Sequence, residues 1–207
     1  MVRYAISAGE YGFPSRGTAS LLDQIHRLAA AGVEFLQLRE KHLGAGELAA
    51  LTREILAILA ASDAPTRLLI SARADVAVAT RAHGVHLTSA CGGLTAGQIR
   101  DLYRMRGLPK PVVSRACHTH SEVLAARNES TDLILFSPVF GKGDMPGTGL
   151  PALQEACAVA AYVPVLALGG VTAANASSCL TAGAAGVAGI RLFQGDDFVP
   201  TTTRRMP

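Results

Sequence analysis

At 207 residues, with 49% hydrophobic residues, 21 glycines and no tryptophan, the chain is long enough for one large domain with a sizeable core and too apolar for a disordered segment. Its formal charge of +3 is small, and the Lys and Arg residues are spread along the chain rather than bunched with aromatics, which excludes a nucleic-acid footprint and points to small anions as partners. The four cysteines, Cys91, Cys117, Cys157 and Cys179, form no C-x-x-C pair, which argues against a zinc site and a disulfide scaffold and for reduced thiols in the cytoplasm.

From the start, residues 1–7 carry a short apolar strand pattern interrupted by Arg3 and lack the apolar stretch of a signal peptide. No later apolar run has the length of a membrane span, so the expectation is a cytoplasmic protein with no membrane partner. Strand-type runs follow at residues 3–7, 35–39, 68–71, 84–87, 112–116, 133–137, 165–168 and 186–190. Helix-type runs lie between them at 20–31, 47–61, 95–106, 153–161 and 174–182; in the first, Leu21, Ile25 and Leu28 share one face, and Gly32 and Gly183 supply helix stops.

This beat is the mark of βαβ units and a parallel sheet. Eight parallel strands can close on themselves and so remove both exposed edges, which predicts an α/β fold of one domain, a (β/α)8 TIM barrel over residues 1–194. Residues 195–207 hold Pro200, a Thr triplet, Arg204 and Arg205 where an eighth helix belongs, and read as an irregular tail. A second subunit covering that place would make a homodimer.

Barrels of this kind carry their chemistry at the carboxyl ends of the strands. After the second strand, alternation points Gln37, Arg39 and Lys41 the same way if the strand holds through Lys41, and a paired Arg and Lys suits a phosphate or carboxylate. The bland reading is that Glu40 pairs with a neighbour on a solvated rim. After the fifth strand come Cys117, His118 and His120, before a helix starting near Ser121; a histidine in a barrel mouth can move a proton, whereas a strand-end Cys is more often an inert buried thiol. His86 sits within a strand and reads as a hydrogen-bonded core residue. Near the ends of the last two strands, Gly169, Gly170, Gly189 and Ile190 bring backbone amides to where phosphate is often held.

In order and spacing, QLREK at 37–41, LISARADVAVATRAHGVHL at 69–87, CHTHSEVLAA at 117–126, DLILFSPVF at 132–140 and PVLALGGVTAANASSCLTAGAAGVAGI at 164–190 give the chain a family likeness. It resembles the thiamine phosphate synthase superfamily, including its TenI-type thiazole tautomerase branch. The resemblance implies the barrel fold, a part in making thiamine, and a small phosphorylated thiazole substrate held by Gly169, Gly170 and Gly189.

The synthase pattern has Asn-Asp after strand three and another Asp after strand four, which hold magnesium on the diphosphate of an aminopyrimidine. Here these places read Ser71-Ala72 and Thr88-Ser89-Ala90-Cys91, with no carboxylate for a hard cation, and the segment after strand six is shortened to residues 141–147. The tautomerase branch needs no metal, and its strand-five histidine falls on His118. The expectation is therefore a tautomerase without cofactor: His118 moves the proton that makes the ring of a thiazole carboxylate phosphate aromatic, and Arg39 or Lys41 meets the carboxylate. Two alternatives stand beside it, a magnesium-dependent thiamine phosphate synthase, in which Gln37, Arg39 and Lys41 serve the pyrimidine diphosphate, and a catalytically idle thiazole or thiamine phosphate-binding protein.

Overall fold

Short runs rich in Val, Ile and Leu form the eight strands of the computed structural model, which describes residues 1–12, 18–90, 92–141 and 146–195. They are β1 (Val2–Ile6), β2 (Phe35–Leu38), β3 (Arg67–Ser71), β4 (Gly84–Leu87), β5 (Val112–Cys117), β6 (Leu133–Phe136), β7 (Val165–Ala167) and β8 (Gly186–Gly189). Each pairs in parallel with the next, and β8 returns to β1 with Tyr4 opposite Ala188, so the sheet is a closed barrel. Its helices are α1 (Thr18–Ala30), α2 (Ala45–Ala61), α3 (Ala74–Thr80), α4 (Ala96–Met105), α5 (His120–Asn128), α6 (Gly149–Ala160) and α7 (Ala176–Thr181).

The expected barrel and all eight strands are present. The seven-residue α3 was not anticipated, because a helix of under two turns cannot display the repeating apolar stripe by which longer helices are read. Gly32 and Gly183 stop α1 and α7 with φ of 64° and 99°, the left-handed conformation that Gly adopts without penalty. After β8 comes a single 3-10 turn, Arg191–Phe193, whose last carbonyl accepts a hydrogen bond from Gln24 Nε2 of α1 at 3.0 Å. Residues 196–207 of the tail, Cys91 and residues 142–145 lie outside the described residues.

Strand alternation divides the apolar side chains into an inner and an outer set. Inside the barrel, Tyr4, Ile6, Leu69, Val112, Leu133, Leu135, Leu166 and Ala188 form one cluster. Outside it there are two clusters. One joins α1 to α4 with the outer faces of the first strands through residues such as Ile25, Ile55, Ile70 and Ile99, and the other joins α5 to α7 with the last strands through Val123, Ile134, Leu153 and Cys179. The carboxyl ends of the strands are thereby held fixed around one mouth.

Candidate active site

Five inward positions on the first five strands are polar, and together they make the floor beneath that mouth. Ser71 lies opposite His86, and His86 opposite Ser114, so three polar side chains from β3, β4 and β5 stand in register. Ser114 Oγ is 2.9 Å from His86 Nδ1 and 2.9 Å from the hydroxyl of Tyr4, while Gln37 Nε2 donates to Ser71 Oγ at 3.1 Å. His86 is thus the hydrogen-bonded core residue that its sequence position implies.

Burial, followed by the charge of Arg39, holds the His86 ring down to about 3 against its ordinary 6.5. Between those values the unfolded chain binds a proton that the folded barrel refuses, so stability rises with pH there and is lost as the pH falls from about 6.5 towards 3. The loss runs at about 1.4 kcal/mol per pH unit. Urea unfolding near pH 7 and near pH 5 should show this dependence, and His86→Gln should remove about 2 kcal/mol of the difference.

Gln37 is 2% exposed, and its side-chain carbonyl oxygen Oε1 is buried with no hydrogen-bond partner. Such an orphan acceptor costs about 1–3 kcal/mol and calls for a donor from a ligand or water. The charge of Arg39 is felt at the His86 ring, and its guanidinium lies next to Gly9 in the loop after β1, at the strand end. Lys41 does not share this placement. β2 ends at Leu38, because the buried carboxylate of Glu40 accepts bonds from Ser7 Oγ at 2.6 Å, Gly9 N at 3.2 Å and Tyr11 N at 3.0 Å, and Lys41 stands exposed in the turn that follows. Glu40 is therefore a buried anchor for the loop after β1 and no member of a solvated rim.

Across the mouth, Gly169, Gly170, Gly189 and Ile190 line one cavity of about 790 Å³, with Thr172 and Arg191 also in its wall. Gly169 and Gly170 have φ of 91° and 65°. A Cβ on Gly170 would lie 2.7 Å from Phe140 Cβ and 2.9 Å from the carbonyl oxygen of Gly141, and one on Gly169 would lie 2.7 Å from Pro138 Cα. Asn175 fixes the loop by accepting from Thr172 N at 2.8 Å and donating to the Gly170 carbonyl at 3.1 Å. These features keep a bare backbone at the cavity wall, the condition for close approach of a phosphate. Gly170→Ala should weaken binding of a thiazole phosphate about tenfold or more, from left-handed strain of about 1–2 kcal/mol and a displaced loop; isothermal titration with wild type as reference reads the change.

The two histidines after β5 part company. His120 opens α5, where Nε2 lies 3.0 Å from the Ala152 carbonyl, Nδ1 lies 3.5 Å from a Glu155 carboxylate oxygen, and the ring stacks on Phe136 at 6.0 Å, so it is engaged with α6 and β6. His118 Nδ1 sits 2.7 Å from the Ser137 carbonyl, which accepts only, so Nδ1 donates and Nε2 of the neutral ring carries the lone pair. A capping box between Thr119 and Glu122, in which Thr119 Oγ1 accepts from Glu122 N and the Glu122 carboxylate accepts from the amides of Thr119 and His118, fixes the chain at this point. His118 is exposed at the strand end and stands outside the wall of the glycine cavity. Cys117 is fully buried, and burial pushes its thiol up to about 12, so it supplies no thiolate.

The described residues do not fit magnesium. Among the described residues no group of three or more His, Cys, Asp or Glu side chains could hold a metal ion. The carboxylates near the places in question are taken: Asp75 by Arg73, with bonds of 2.9 and 2.6 Å, and Glu129, which lines a cavity with Thr88 and Ala90, by Arg115 at 2.5 Å. Ser71 and Thr88 offer only neutral oxygens.

Apart from Gln37, the floor residues do not stand out as a group in the sequence. Tyr4, Ser71, His86 and Ser114 lie in four different strands, and only the register of neighbouring strands reveals them as a layer.

A family model described as thiamine monophosphate synthase (TMP-TENI) matches residues 4–193. The chain is 35% identical over 185 residues to the thiamine-phosphate synthase of Methanoculleus marisnigri, covering 87% of this chain and 83% of that protein. It is 36% identical to a putative thiamine-phosphate synthase of Geobacter sulfurreducens, over 87% of this chain and 82% of the relative. Among solved structures, it is similar to the thiamine phosphate pyrophosphorylase of Pyrococcus furiosus, with a TM-score of 0.76 and 21% identity over 95% of this chain and 89% of that one. FabK from Thermotoga maritima, with a TM-score of 0.64 and 14% identity over 92% of this chain and 58% of that one, is similar in fold alone.

Proposed function

The chain belongs to the thiamine monophosphate synthase family, and from that premise we propose that it works in thiamine biosynthesis by joining an aminopyrimidine diphosphate to a thiazole phosphate. The observation that carries this reading is the buried, unpartnered Oε1 of Gln37 in the barrel floor. An aminopyrimidine has an N–H donor for that acceptor and a flat ring for the space above the floor, and Arg39, just past the end of the same strand, meets the charge of the diphosphate. The glycine loops take the phosphate of the thiazole. Coupling forms one carbon–nitrogen bond as the diphosphate leaves with the electron pair of the carbon–oxygen bond that breaks. The names of the relatives support the same reaction.

This reading replaces the tautomerase as the leading one. The tautomerase stays as a second reading because the Ser137 carbonyl, accepting from His118 Nδ1, leaves the ring's lone pair on Nε2, and because the strand ends lack the carboxylates of the synthase pattern. Neither observation was enough to outweigh the relatives. The dimer expected from the irregular sequence of the tail is also a proposal, to be read from the molar mass in solution. No helix among the described residues is long and apolar enough to cross a membrane.

The test supplies purified protein with aminopyrimidine diphosphate and thiazole phosphate, with and without magnesium, and follows thiamine phosphate. A parallel sample receives the non-aromatic thiazole carboxylate phosphate alone. Thiamine phosphate formed at a rate that His118→Ala leaves within a few-fold is the expected result. Aromatisation without coupling, dropping by about 10²–10⁴ in His118→Ala, would establish the tautomerase instead, and binding without either turnover would leave a binding protein.

A further inference from the structure

At the end of the barrel opposite the mouth, around the starts of β3, β4 and β5, a cavity of about 240 Å³ is lined by Arg67, Arg81, His83 and Lys110 over a wall that includes Tyr103 and Pro109. No carboxylate lines it. Neither Arg67 nor Arg81 has an ion pair among the described residues. Lys110 reaches only Asp132, at 4.0 Å, and that carboxylate is already engaged by Arg100 at 2.9 Å and by the Val113 amide at 2.8 Å. Three cations thus face one concavity with little to balance them, an arrangement whose mutual repulsion an anion would relieve.

The backbone adds a directed donor. His83 Nδ1 accepts from the Leu68 amide at 3.0 Å, so the proton of the neutral ring is on Nε2. The ring is fixed further because the His83 amide donates to the Leu68 carbonyl at 3.0 Å. Tyr103 holds the wall, its hydroxyl donating to the Ala82 carbonyl at 2.9 Å. Barrel enzymes of this type place their chemistry at the other end, so this cluster has no part in the reaction proposed above.

We propose that the amino-terminal end of the barrel carries a second anion site, in which Arg67, Arg81, Lys110 and the Nε2–H of His83 bind the phosphate groups of a small phosphorylated molecule. The cavity lies below the roughly 300–1,000 Å³ of sites for drug-sized ligands, so it suits inorganic diphosphate or the head of a phosphate ester rather than a whole nucleotide. Two planar guanidinium groups with a lysine beside them match adjacent phosphates better than a single carboxylate.

The experiment follows the histidine ring resonances of the full chain during titration with inorganic diphosphate, with orthophosphate, and with potassium chloride at matched ionic strength. His83 is assigned by loss of its signal in His83→Asn, and His118 reports separately on the mouth. The expected result is a saturable response of His83 to diphosphate, a weaker one to orthophosphate and none to chloride, with the His83 ring pKa rising as the anion binds. Burial, and after it the charge of Arg67, holds that ring below its ordinary value in the free protein.

Arg67→Gln combined with Arg81→Asn should weaken binding by about 20-fold or more, and Lys110→Gln by about fivefold. Asn is chosen at position 81 because Arg81 has φ of 60°, where Asn is tolerated. Circular dichroism checks the fold, and Lys110→Gln, on an exposed side chain, keeps the test open if the double variant misfolds. A His83 response equal for chloride and diphosphate, or unchanged affinity in these folded variants, would overturn the proposal.

Discussion

Gly84→Ala is expected to yield no folded barrel. Gly84 opens β4 opposite Val112 of β5, and a Cβ there would lie 1.9 Å from the Val112 carbonyl oxygen and 2.8 Å from its carbonyl carbon. Both are backbone atoms, so no side-chain rotation relieves the contact. Moving β5 outward would break its ladder with β4 and pull Val112 out of the interior cluster. Overpacking of a core ordinarily costs about 1–3 kcal/mol, and a clash of this kind with the main chain should exceed that range, against a total stability of about 5–15 kcal/mol. Gly186 stands in the same relation to Val2, with a Cβ 1.9 Å from its carbonyl oxygen, and Gly186→Ala should behave alike. The control is Gly46→Ala in α2, where nothing lies within 4 Å of the new Cβ and a gain of about 0.5–1 kcal/mol is expected. Soluble yield and urea midpoints decide the matter; a Gly84→Ala protein as stable as wild type would show that the strands can separate without loss.

Gln37→Leu should split activity from stability. The substitution is close to isosteric and removes one hydrogen bond, from Nε2 to Ser71 Oγ, but it also removes the buried acceptor that has no partner. Losing a bond contributes about 0.5–1.5 kcal/mol against the fold, and losing an unsatisfied acceptor returns about 1–3 kcal/mol, so the unfolding midpoint should hold or rise. If Oε1 is the acceptor for the amino group of the pyrimidine, the same change leaves that group buried and unpaired in the complex. Sites built around such a bond discriminate strongly, and kcat/KM for the coupling reaction should fall by about 100-fold or more. An equal loss of stability and activity would mean that Gln37 is a structural residue, and an unaltered kcat/KM would remove the observation on which the coupling reading rests.

The strands and the strand-end glycines were legible because both are local: an apolar run, then Gly169, Gly170 or Gly189 at its end. What escaped depends on contacts between segments distant in sequence. Lys41 fails to join Gln37 and Arg39 because Glu40 is drawn onto Ser7, Gly9 and Tyr11, some thirty residues earlier, and the strand stops short. His118 and His120 look equivalent as neighbours in a loop. They separate because the Thr119 cap starts α5 at His120 and turns that ring against α6. The polar floor is invisible for a related reason, since Ser71, His86 and Ser114 meet only through strand register.

The division of the outer core into two clusters gives the barrel a seam along β5, with Val113 on one side and Cys117 on the other. Each half carries its own helices and its own apolar packing. Neither can be finished alone, because Tyr4, Ile6 and Leu69 from one half meet Leu133, Leu135, Leu166 and Ala188 from the other inside the barrel, with Val112 of the seam strand among them. The inner layer therefore acts as a keystone: it ties the two half-shells together, and both halves must be in place before any rim residue faces its counterpart across the mouth.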